Sequence, residues 1–450
     1  MKLKIKEKVS FGLGAVGKDM VYSIVSGYLL YYYNTVLGIS ATFVGILFMA
    51  ARVFDAFNDP MMGVLVEKTN TKMGKFRPWL LIGTISNAVV LVLMYAVPNG
   101  LKGTGLLVYA SVAYILWGVT YTIMDIPYWS MIPAITESGK DRENISVIGR
   151  SCAGLGNAVP TVLTMIVVPV LGGGSERKGF AVFALIIAAV FLITIFILVA
   201  NVKEKVRVNN KTVTVKEMFG SLLKNDQAMV VVVAIIMFNA SLYLTQQLAV
   251  YFFKYDIGNA ELYGLFGMIG GAVQIASMML LPVFRKKFET KTILKGAISI
   301  TIVGYIYMFI LGSLHMNYIP LLCSAAAVIF FGFGLATVLT TIFLADTVDY
   351  GEWKNGQRNE SVTFSLQTFV VKLASAVSAF IAGVGLDIIK LDTKAVTQSA
   401  STITGLRILM LAFPMVGLLL SIIFFSRKYK LDEKTLERIT DDLKKKKGTI

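Results

Sequence analysis

Long apolar runs separated by short polar segments are the dominant pattern along this 450-residue chain. Most runs have about the 20 residues that an α-helix needs to cross the hydrocarbon core of a bilayer. Because the apolar positions surround each helix instead of following one stripe, lipid is the solvent that suits them. The pattern predicts an all-α polytopic membrane protein of about twelve transmembrane helices. The predicted spans cover residues 11–34, 42–66, 78–99, 105–130, 146–171, 179–201, 229–253, 261–284, 292–314, 319–346, 367–389 and 403–426.

One long polar interruption, KEKVRVNNKTVTVKEMFGSLLKN at residues 203–225, divides these spans into two sets of six. We find no letter-for-letter repeat between the halves, so the two-fold division rests on hydropathy. Two helix bundles that rock about a midplane site are typical of secondary transporters. A short amphipathic helix is expected near residues 213–223. The predicted units are a six-helix bundle at 1–202, a cytoplasmic middle loop at 203–228, a second six-helix bundle at 229–427 and a cytoplasmic tail at 428–450.

The net charge of +16 would suit a nucleic-acid binder, but its distribution indicates membrane topology instead. If the N-terminus is cytoplasmic, the segments on that side hold about 32 of the 43 Lys and Arg residues. This asymmetry follows the positive-inside rule and predicts that both termini lie on the cytoplasmic side of the plasma membrane. The basic tail is expected to be solvated or to touch anionic lipid. With 56% apolar and 16% charged residues and a mean hydropathy of +0.71, an ordinary soluble domain is excluded.

Sequence signatures of catalysis and nucleotide binding are absent from the chain. It has no G-x-x-x-x-G-K-[ST] phosphate-binding loop, so ATP is not expected to drive it directly. Cys152 and Cys323 fall in different halves, which excludes a disulfide framework or a cysteine-based metal cluster. The lone His315 is expected to be incidental. We also find no nucleophile–base pair and no cofactor motif, so a transporter is predicted, not an enzyme.

Charged residues inside the second span are candidates for function, because charges are costly in a bilayer. In ARVFDAFNDPMMG, Arg52, Asp55 and Asp59 share one helix face at about 100° per residue, with Asn58 beside them. Two carboxylates one turn apart need a cation near them, and Pro60 frees a backbone carbonyl. Such oxygen ligands suit Na⁺, while repulsion between the carboxylates also allows a proton. The competing interpretation is an ion-pair network that holds helices together.

The fourth span, GVTYTIMDIPYWSMIP, has the chemistry of a sugar site. Thr122, Asp125 and Trp129 share one face, and Tyr121 borders Asp125. The apolar face of a sugar ring stacks on aromatic rings, while its hydroxyls need charged or amide partners. Trp and Tyr also mark membrane interfaces without binding a ligand, but a carboxylate on the same face favours a binding role. Arg150 is a plausible bidentate partner for hydroxyls or for Asp125.

Further charges interrupt three other spans. Lys18 and Asp19 lie in the first span, which with no cleavage site after it is not predicted to be a signal peptide. Lys372 is isolated in QTFVVKLASAVSAF and needs an acidic partner, for which the second or fourth span is the natural source. The acidic residues of LADTVDYGEWK, at the end of the tenth span, are expected to form a gate or an inter-bundle latch: Asp346, Asp349 and Glu352.

Taken together, these motifs resemble those of the glycoside–pentoside–hexuronide:cation symporters of the major facilitator superfamily, and within that family the melibiose permeases. The resemblance extends over nearly the whole length. The span-two and span-four motifs are specific, whereas the G-x-[KR]-x-[KR]-P loop is shared more loosely across the superfamily. The motifs that carry the resemblance are GAVGKDM, ARVFDAFNDPMMG, EKTNTKMGKFRPW, ILWGVTYTIMDIPYWSMIP, ADTVDYGEW, QTFVVK and YKLDEKTLERI.

The resemblance implies a fold of two six-helix bundles and assigns roles to the charged residues. Lys372 would contact the cation site, and Arg52 would take part in coupling. At two positions the chain departs from melibiose permeases, with Thr337 and Thr340 in place of Trp and Gln. The implied cation ligands, for Na⁺ or alternatively H⁺ or Li⁺, are Asp55, Asn58, Asp59 and Thr122. The implied sugar-binding residues are Lys18, Asp19, Asp125, Trp129 and Arg150.

The function predicted is import of a glycoside, with a melibiose-like galactoside as first candidate, together with Na⁺ or H⁺. The departures leave a β-glucuronide, a pentoside or another sugar as alternatives with the same mechanism. Lysolipid transport is a more distant alternative. It needs an apolar cavity that opens sideways, whereas Lys18, Asp19, Asp125 and Arg150 predict a polar, closed one. The third hypothesis is a non-transporting sensor or a membrane-embedded enzyme. The expected partners are therefore a small glycoside, a monovalent cation and the lipid bilayer, with no nucleic acid, no ATP and no resident cofactor.

Overall fold

The computed structural model describes residues 3–136, 140–204, 220, 223–314, 318–355, 360–395 and 397–446. Within these ranges the chain forms helices and turns without a β-strand, apart from one β-bridge between Thr71 and Gly74. The chain divides into two compact units, Met1–Thr212 and Val213–Ile450. The all-α prediction is confirmed. His315 and most of the amphipathic helix expected near residues 213–223 lie outside the described residues.

The first unit consists of six long helices and one short turn of helix. A five-residue π-helical segment, Tyr32–Val36, continues the first helix. Helix α1 packs on α6 and α7, α3 packs on α4 and α7, and α2 packs mainly on α4. The helices are α1 (Ile5–Tyr31), α2 (Ala41–Lys68), α3 (Arg77–Tyr95), α4 (Gly103–Ser130), α5 (Ile132–Ile135), α6 (Lys140–Leu171) and α7 (Glu176–Asn201).

The second unit has the same general plan and ends in an additional helix. Its first and last long helices contain π-helical segments at Phe252–Asp256 and Ile408–Ala412. Helix α8 packs on α12 and α14, and α11 packs on α9, α10 and the terminal α15. The helices are α8 (Asp226–Tyr251), α9 (Leu262–Arg285), α10 (Thr290–Ser313), α11 (Ile319–Asn355), α12 (Glu360–Ile388), α13 (Ala400–Arg407), α14 (Phe413–Lys428) and α15 (Glu433–Lys446).

Ten helical segments of the described chain are long and apolar enough to cross a membrane. Large apolar side chains such as Val170 and Met279 are 79% and 75% exposed, which a lipid environment accommodates. Helices α1 and α2 also have spanning length, with 27 and 28 residues, but they are not among the ten. These two helices carry five charged residues in their middle parts, which make them more polar: Lys18, Asp19, Arg52, Asp55 and Asp59.

The first helices of the two units end with the same backbone conformation. This is a structural repeat between the halves that is not visible as sequence identity. In both, the π-helical segment is followed by a glycine with positive φ, Gly38 at 75° and Gly258 at 82°, 220 residues apart. The closing hydrogen bonds also correspond. Leu37 N donates to Tyr32 O at 3.0 Å, and Ile257 N donates to Phe252 O at 3.1 Å.

The aromatic run at the end of α1 lies in the core of the first unit. Tyr31, Tyr32 and Tyr33 are fully buried, so these rings pack inside the protein and do not face lipid. Their hydroxyls reach other parts of the unit: Tyr32 donates to Tyr95 O at 2.5 Å, and Tyr33 donates to Ala110 O at 3.2 Å. These bonds join α1 to α4 and to the end of α3, so the helix that carries Lys18 is firmly held.

Candidate functional site

A buried lysine on α1 is the centre of the first polar cluster. Lys18 is only 2% exposed, and its Nζ lies 2.9 Å from Asp19 Oδ2 and 2.8 Å from Asp125 Oδ1 on α4. A buried ammonium needs such partners, because an unpaired charge in a bilayer is costly. The structure thus brings together three candidate residues from two spans, Lys18 and Asp19 from the first and Asp125 from the fourth.

Aromatic rings from the end of α4 surround this ammonium. Lys18 Nζ lies 4.9 Å from the centroid of the Trp129 ring and 5.9 Å from that of Tyr121. Arg150 Cζ, on α6, lies 4.2 Å from the Trp129 ring centroid. Both distances to Trp129 fall within the range of cation–π attraction. The predicted residues Tyr121, Trp129 and Arg150 therefore belong to the same cluster as Lys18.

Tyr128 is a member of this cluster that the sequence analysis did not name. Its ring centroid lies 5.4 Å from Lys18 Nζ, and its hydroxyl donates to Phe11 O at 2.7 Å. The ring also stacks on Phe11, with centroids 4.6 Å apart. The sequence spacing could have identified Tyr128 as a site residue. It follows Asp125 by three residues and Tyr121 by seven, which places all three on neighbouring positions of one helix face.

The cluster combines buried and accessible groups. The side chains of Lys18, Asp19 and Asp125 are 3%, 12% and 29% exposed. Arg150 is exposed within its unit. Among the described residues its guanidinium stacks on Trp129 and makes no ion pair. Lys18 therefore serves as a fixed centre, while Asp125 and Arg150 present an acceptor and a donor that a polar molecule can reach.

A second cluster lies between α2 and α4. Arg52 Nη1 is 3.0 Å from Asp55 Oδ2, and Thr122 Oγ1 donates to Asp59 Oδ1 at 3.1 Å. Asn58 lies on the same stretch of α2, and its Nδ2 is buried without a hydrogen-bond partner among the described residues. The ion-pair interpretation thus describes Arg52 with Asp55, whereas Asp59 bonds to a hydroxyl on another helix.

The two clusters share helix α4. Thr122 belongs to the α2 cluster and Asp125 belongs to the Lys18 cluster, and they are three residues apart. Side chains at this spacing are neighbours on a helix, with about 5–6 Å between their Cβ atoms. A Cβ added at Gly118, one turn earlier on α4, would lie 3.3 Å from Asp55 Oδ1. Any shift or rotation of α4 therefore changes both clusters together.

A column of stacked rings, not foreseen from the sequence, runs along the same helix. Trp117 lies 5.3 Å from Tyr121 and 5.9 Å from Tyr114 between ring centroids, with interplanar angles of 26° and 14°. Phe48 of α2 stacks on Tyr114 at 4.4 Å, and Tyr22 of α1 lies 5.7 Å from Tyr121. The spacing of positions 114, 117 and 121 could have predicted the column, because these positions share one helix face. The column joins α1, α2 and α4 beside both clusters.

The predicted coupling and gating residues of the second half lie in the second unit. Lys372 is half-buried on α12. On α11, Asp346 Oδ2 accepts from the Tyr429 hydroxyl at 3.5 Å, and Asp349 and Glu352 are half-buried on the same helix. Next to them, Trp353 Nε1 donates to Asp442 Oδ2 of α15 at 3.1 Å, so the tail helix packs on this segment. The expected contact between Lys372 and the cation site stays a prediction.

Comparisons with known proteins agree with this architecture. The chain is 32% identical over 451 residues to the uncharacterized symporter YjmB of Bacillus subtilis (strain 168), covering 99% of this chain and 96% of the relative. It is 31% identical over 438 residues to the isoprimeverose transporter of Lactiplantibacillus pentosus, covering 96% and 90%. Among solved structures, a mutant of the nucleoside transporter NupG superposes with a TM-score of 0.69 at 14% identity, covering 93% of this chain and 100% of that one.

The structural likeness confirms the major facilitator fold, and the sequence comparisons identify the family. Residues 10–433 match the family described as MFS/sugar transport protein. This match spans both units and both polar clusters. The predicted resemblance and the prediction of a transporter are confirmed at this level. The chain therefore belongs to the MFS/sugar transport protein family, whose members are membrane transporters and not enzymes.

Proposed function

We propose that this protein is a secondary active symporter that imports a glycoside together with a monovalent cation, Na⁺ being the first candidate. Sugar transport follows from the family, whereas the glycoside and the cation are proposals. The observation that carries them is the pair of clusters on α4: Asp125 bonds to Lys18 at 2.8 Å, and three residues earlier Thr122 bonds to Asp59 at 3.1 Å. One helix thus connects a group suited to sugar hydroxyls with a group suited to a cation.

The Lys18 cluster offers what a glycoside needs. The partly exposed carboxylate of Asp125 accepts hydrogen bonds from sugar hydroxyls, and the Arg150 guanidinium donates to them. An ammonium has three donors, of which Lys18 uses two for Asp19 and Asp125. The rings of Tyr121 and Trp129 supply the apolar surface on which the C–H face of a sugar packs.

The α2 cluster offers oxygen ligands for the cation. Asp55 and Asp59 each supply a carboxylate, Thr122 a hydroxyl and Asn58 a carboxamide. Asn58 Nδ2, buried and without a hydrogen-bond partner in the part of the chain that the structure describes, fits this role, because rotating the amide by 180° places its oxygen at that position instead. Oxygen ligands of this kind suit a hard cation such as Na⁺, and a proton on one carboxylate is the alternative.

Coupling between the two ligands follows from the shared helix. A cation between Asp55 and Asp59 removes their mutual repulsion and stabilises one position of α4 against α2. That position also fixes Asp125 against Lys18, so cation binding favours glycoside binding, and the reverse holds by thermodynamic reciprocity. A membrane potential of 100 mV supplies about 2.3 kcal/mol per cation, which supports roughly fifty-fold accumulation of the sugar.

The identity of the glycoside is the finer part of the proposal. The similar isoprimeverose transporter supports a disaccharide or glycoside substrate, and a melibiose-like galactoside is the first candidate. At the two positions that depart from melibiose permeases, Thr337 Oγ1 donates to Phe333 O and Thr340 Oγ1 donates to Thr337 O, within their own helix. Neither residue supplies the wide aromatic ring or the amide found in melibiose permeases.

A hexuronide is the second candidate, and Arg150 favours it. This guanidinium is exposed, stacks on Trp129 and makes no ion pair among the described residues. The planar fork of a guanidinium binds a carboxylate bidentately. A glycoside with a carboxyl group would therefore gain one ion pair that a neutral sugar cannot form.

The charge distribution supports a location in the plasma membrane with both termini in the cytoplasm.

Uptake into membrane vesicles tests function and substrate together. Melibiose, isoprimeverose and a β-glucuronide are supplied with and without an inward Na⁺ gradient, and an acid-outside pH gradient tests H⁺. Na⁺-stimulated uptake of one of these sugars supports the proposal. Uptake that responds to neither gradient would refute symport, and glucuronide uptake alone would select the second candidate.

A further inference from the structure

The segment between α2 and α3 is bound to the end of α7 by a carboxylate that the proposed function does not use. Glu204 lies three residues after the end of α7 and accepts hydrogen bonds from three consecutive backbone N–H groups. Lys75 N lies 2.8 Å from Oε2, while Phe76 N and Arg77 N lie 2.8 and 3.4 Å from Oε1. One carboxylate thus satisfies the free donors at the start of a helix.

Helix α3 needs this carboxylate because its own sequence supplies no cap. The N-cap residue is Phe76, whose side chain has no acceptor, and a proline stands in the first turn. Glu204 supplies the acceptor, and its negative charge lies at the positive end of the helix dipole. Gly74 completes the fit: its φ is +106°, and a Cβ there would lie 2.5 Å from Glu204 Oε1.

The first residue of α3 satisfies the end of α7 in return. Arg77 Nε donates to Val199 O at 3.0 Å, and Arg77 Nη1 donates to Met73 O at 3.2 Å. Val199 lies in the last turn of α7, where carbonyls have no partner within the helix. Each helix therefore caps the other. We name these bonds, Glu204 with the amides of residues 75–77 and Arg77 with Val199, the α3–α7 clasp.

Helix α2 is joined to the clasp at its own end. Thr69 is the C-cap residue of α2, and its Oγ1 accepts from Trp79 Nε1 of α3 at 2.8 Å. Helix α2 otherwise packs mainly on α4, and this hydrogen bond ties its end to α3. We propose that Glu204 is a positioning residue for the coupling cation. Through the clasp it holds the end of α2, and with it the carboxylates of Asp55 and Asp59.

This inference rests on the proposed function, and its test separates the two. Full-length Glu204→Ala and Glu204→Gln proteins are compared in proteoliposomes with Lys203→Ala, which changes the exposed neighbouring residue. Glycoside binding is measured against Na⁺ concentration and also without Na⁺. In Glu204→Ala we expect the half-saturating Na⁺ concentration to rise at least about fivefold while Na⁺-free glycoside affinity stays within about twofold. Lys203→Ala should match the parent.

Chemical rescue distinguishes positioning from general destabilisation. Acetate in large excess should restore part of the Na⁺ affinity of Glu204→Ala, because it can occupy the same three amides, and should leave the parent unchanged. Glu204→Gln keeps one acceptor oxygen and should show a smaller defect. Hydrogen exchange at the amides of residues 75–77 should accelerate in Glu204→Ala and slow again with acetate.

Three outcomes would overturn the inference. An unchanged half-saturating Na⁺ concentration in Glu204→Ala removes the positioning role. An equal loss of Na⁺-free glycoside affinity, without response to acetate, indicates a merely structural residue. Unchanged amide exchange removes the clasp itself. A parent protein without cation-dependent glycoside binding would instead contradict the proposed function, and this result is visible before any variant is made.

Discussion

Replacing Asp125 by Asn removes one negative charge from the Lys18 cluster while preserving the shape of the side chain. In the parent, Lys18 Nζ bonds to Asp125 at 2.8 Å and to Asp19 at 2.9 Å, and Asp125 is the more exposed of the two carboxylates. The variant keeps the Asp19 partner, so the buried ammonium stays neutralised and the protein should fold. Asp125→Asn therefore tests ligand binding without leaving an unpaired buried charge.

The size of the effect follows from the hydrogen bonds that a sugar would lose. A hydrogen bond to a charged group contributes about 1.5–3 kcal/mol, against about 1 kcal/mol for a neutral one. If Asp125 accepts from two sugar hydroxyls, the substitution to Asn costs about 1–4 kcal/mol. At about 1.4 kcal/mol per tenfold change, glycoside affinity should fall by a factor between about five and several hundred. Asp125→Ala removes both acceptors and should abolish detectable binding.

Equilibrium binding of the glycoside to purified protein in the presence of Na⁺ measures this loss directly. Thermal unfolding in detergent checks that the variant is folded, and Glu261→Gln, at an exposed carboxylate of the second unit, serves as the matched control. The control should bind like the parent. If Asp125→Asn binds within twofold of the parent while remaining folded, Asp125 does not contact the sugar and the proposed site is wrong.

Four further predictions address the cation, the aromatic surface, the fold and the stoichiometry. Asp59→Cys should abolish Na⁺ stimulation of uptake but spare sugar exchange, because Asp59 accepts from Thr122 in the α2 cluster; Na⁺-dependent accumulation in this variant would show that the cation site lies elsewhere. Trp129→Ala should weaken glycoside binding about tenfold and Trp129→Phe much less, since the ring supplies stacking area; equal affinity of the two variants would exclude stacking. Asp256→Ala should lower the thermal unfolding midpoint by an amount equivalent to about 3 kcal/mol or more, because it leaves Arg407, bonded at 2.6 Å and nearly buried, without its carboxylate; an unchanged midpoint contradicts this. Parallel uptake of labelled sugar and Na⁺ should give one cation per glycoside, and a ratio of two would require ligands beyond the α2 cluster.

Much of this architecture was readable from the sequence because membrane helices have a strong signal. Apolar runs marked the helices, and the 203–225 interruption fell where the chain passes between its two units. Charges inside spans identified Lys18, Asp55 and Asp125 as candidates, since burying them without purpose is costly. Helical periodicity also placed Thr122 beside Asp125, and in the structure Thr122 donates to Asp59 while Asp125 pairs with Lys18.

What the sequence concealed depends on partners that are distant along the chain. The bond between Glu204 and the start of α3 joins residues about 130 positions apart, so no local pattern predicts it. The ring column through Trp117 was not predicted, because an aromatic residue in a span is equally compatible with a place in lipid or in helix packing. The repeat at Gly38 and Gly258 is one of backbone conformation, and different residues produce the same π-helical ending.

Charge balance gives the proposed coupling its physical logic. Counted over Arg52, Asp55 and Asp59 alone, there is one positive charge against two negative ones, so these three residues carry one formal negative charge in excess when both carboxylates are ionised. A single Na⁺ or a single proton cancels that excess and relieves the repulsion between the two carboxylates, which favours the arrangement in which Thr122 donates to Asp59. The Lys18 cluster, by contrast, is balanced when Arg150 is included with Lys18, Asp19 and Asp125. A neutral sugar can therefore bind there without a counter-ion of its own, but only if α4 is in place. Under the proposed function, the cation supplies positive charge at the α2 cluster, and through α4 this favours sugar binding at the Lys18 cluster.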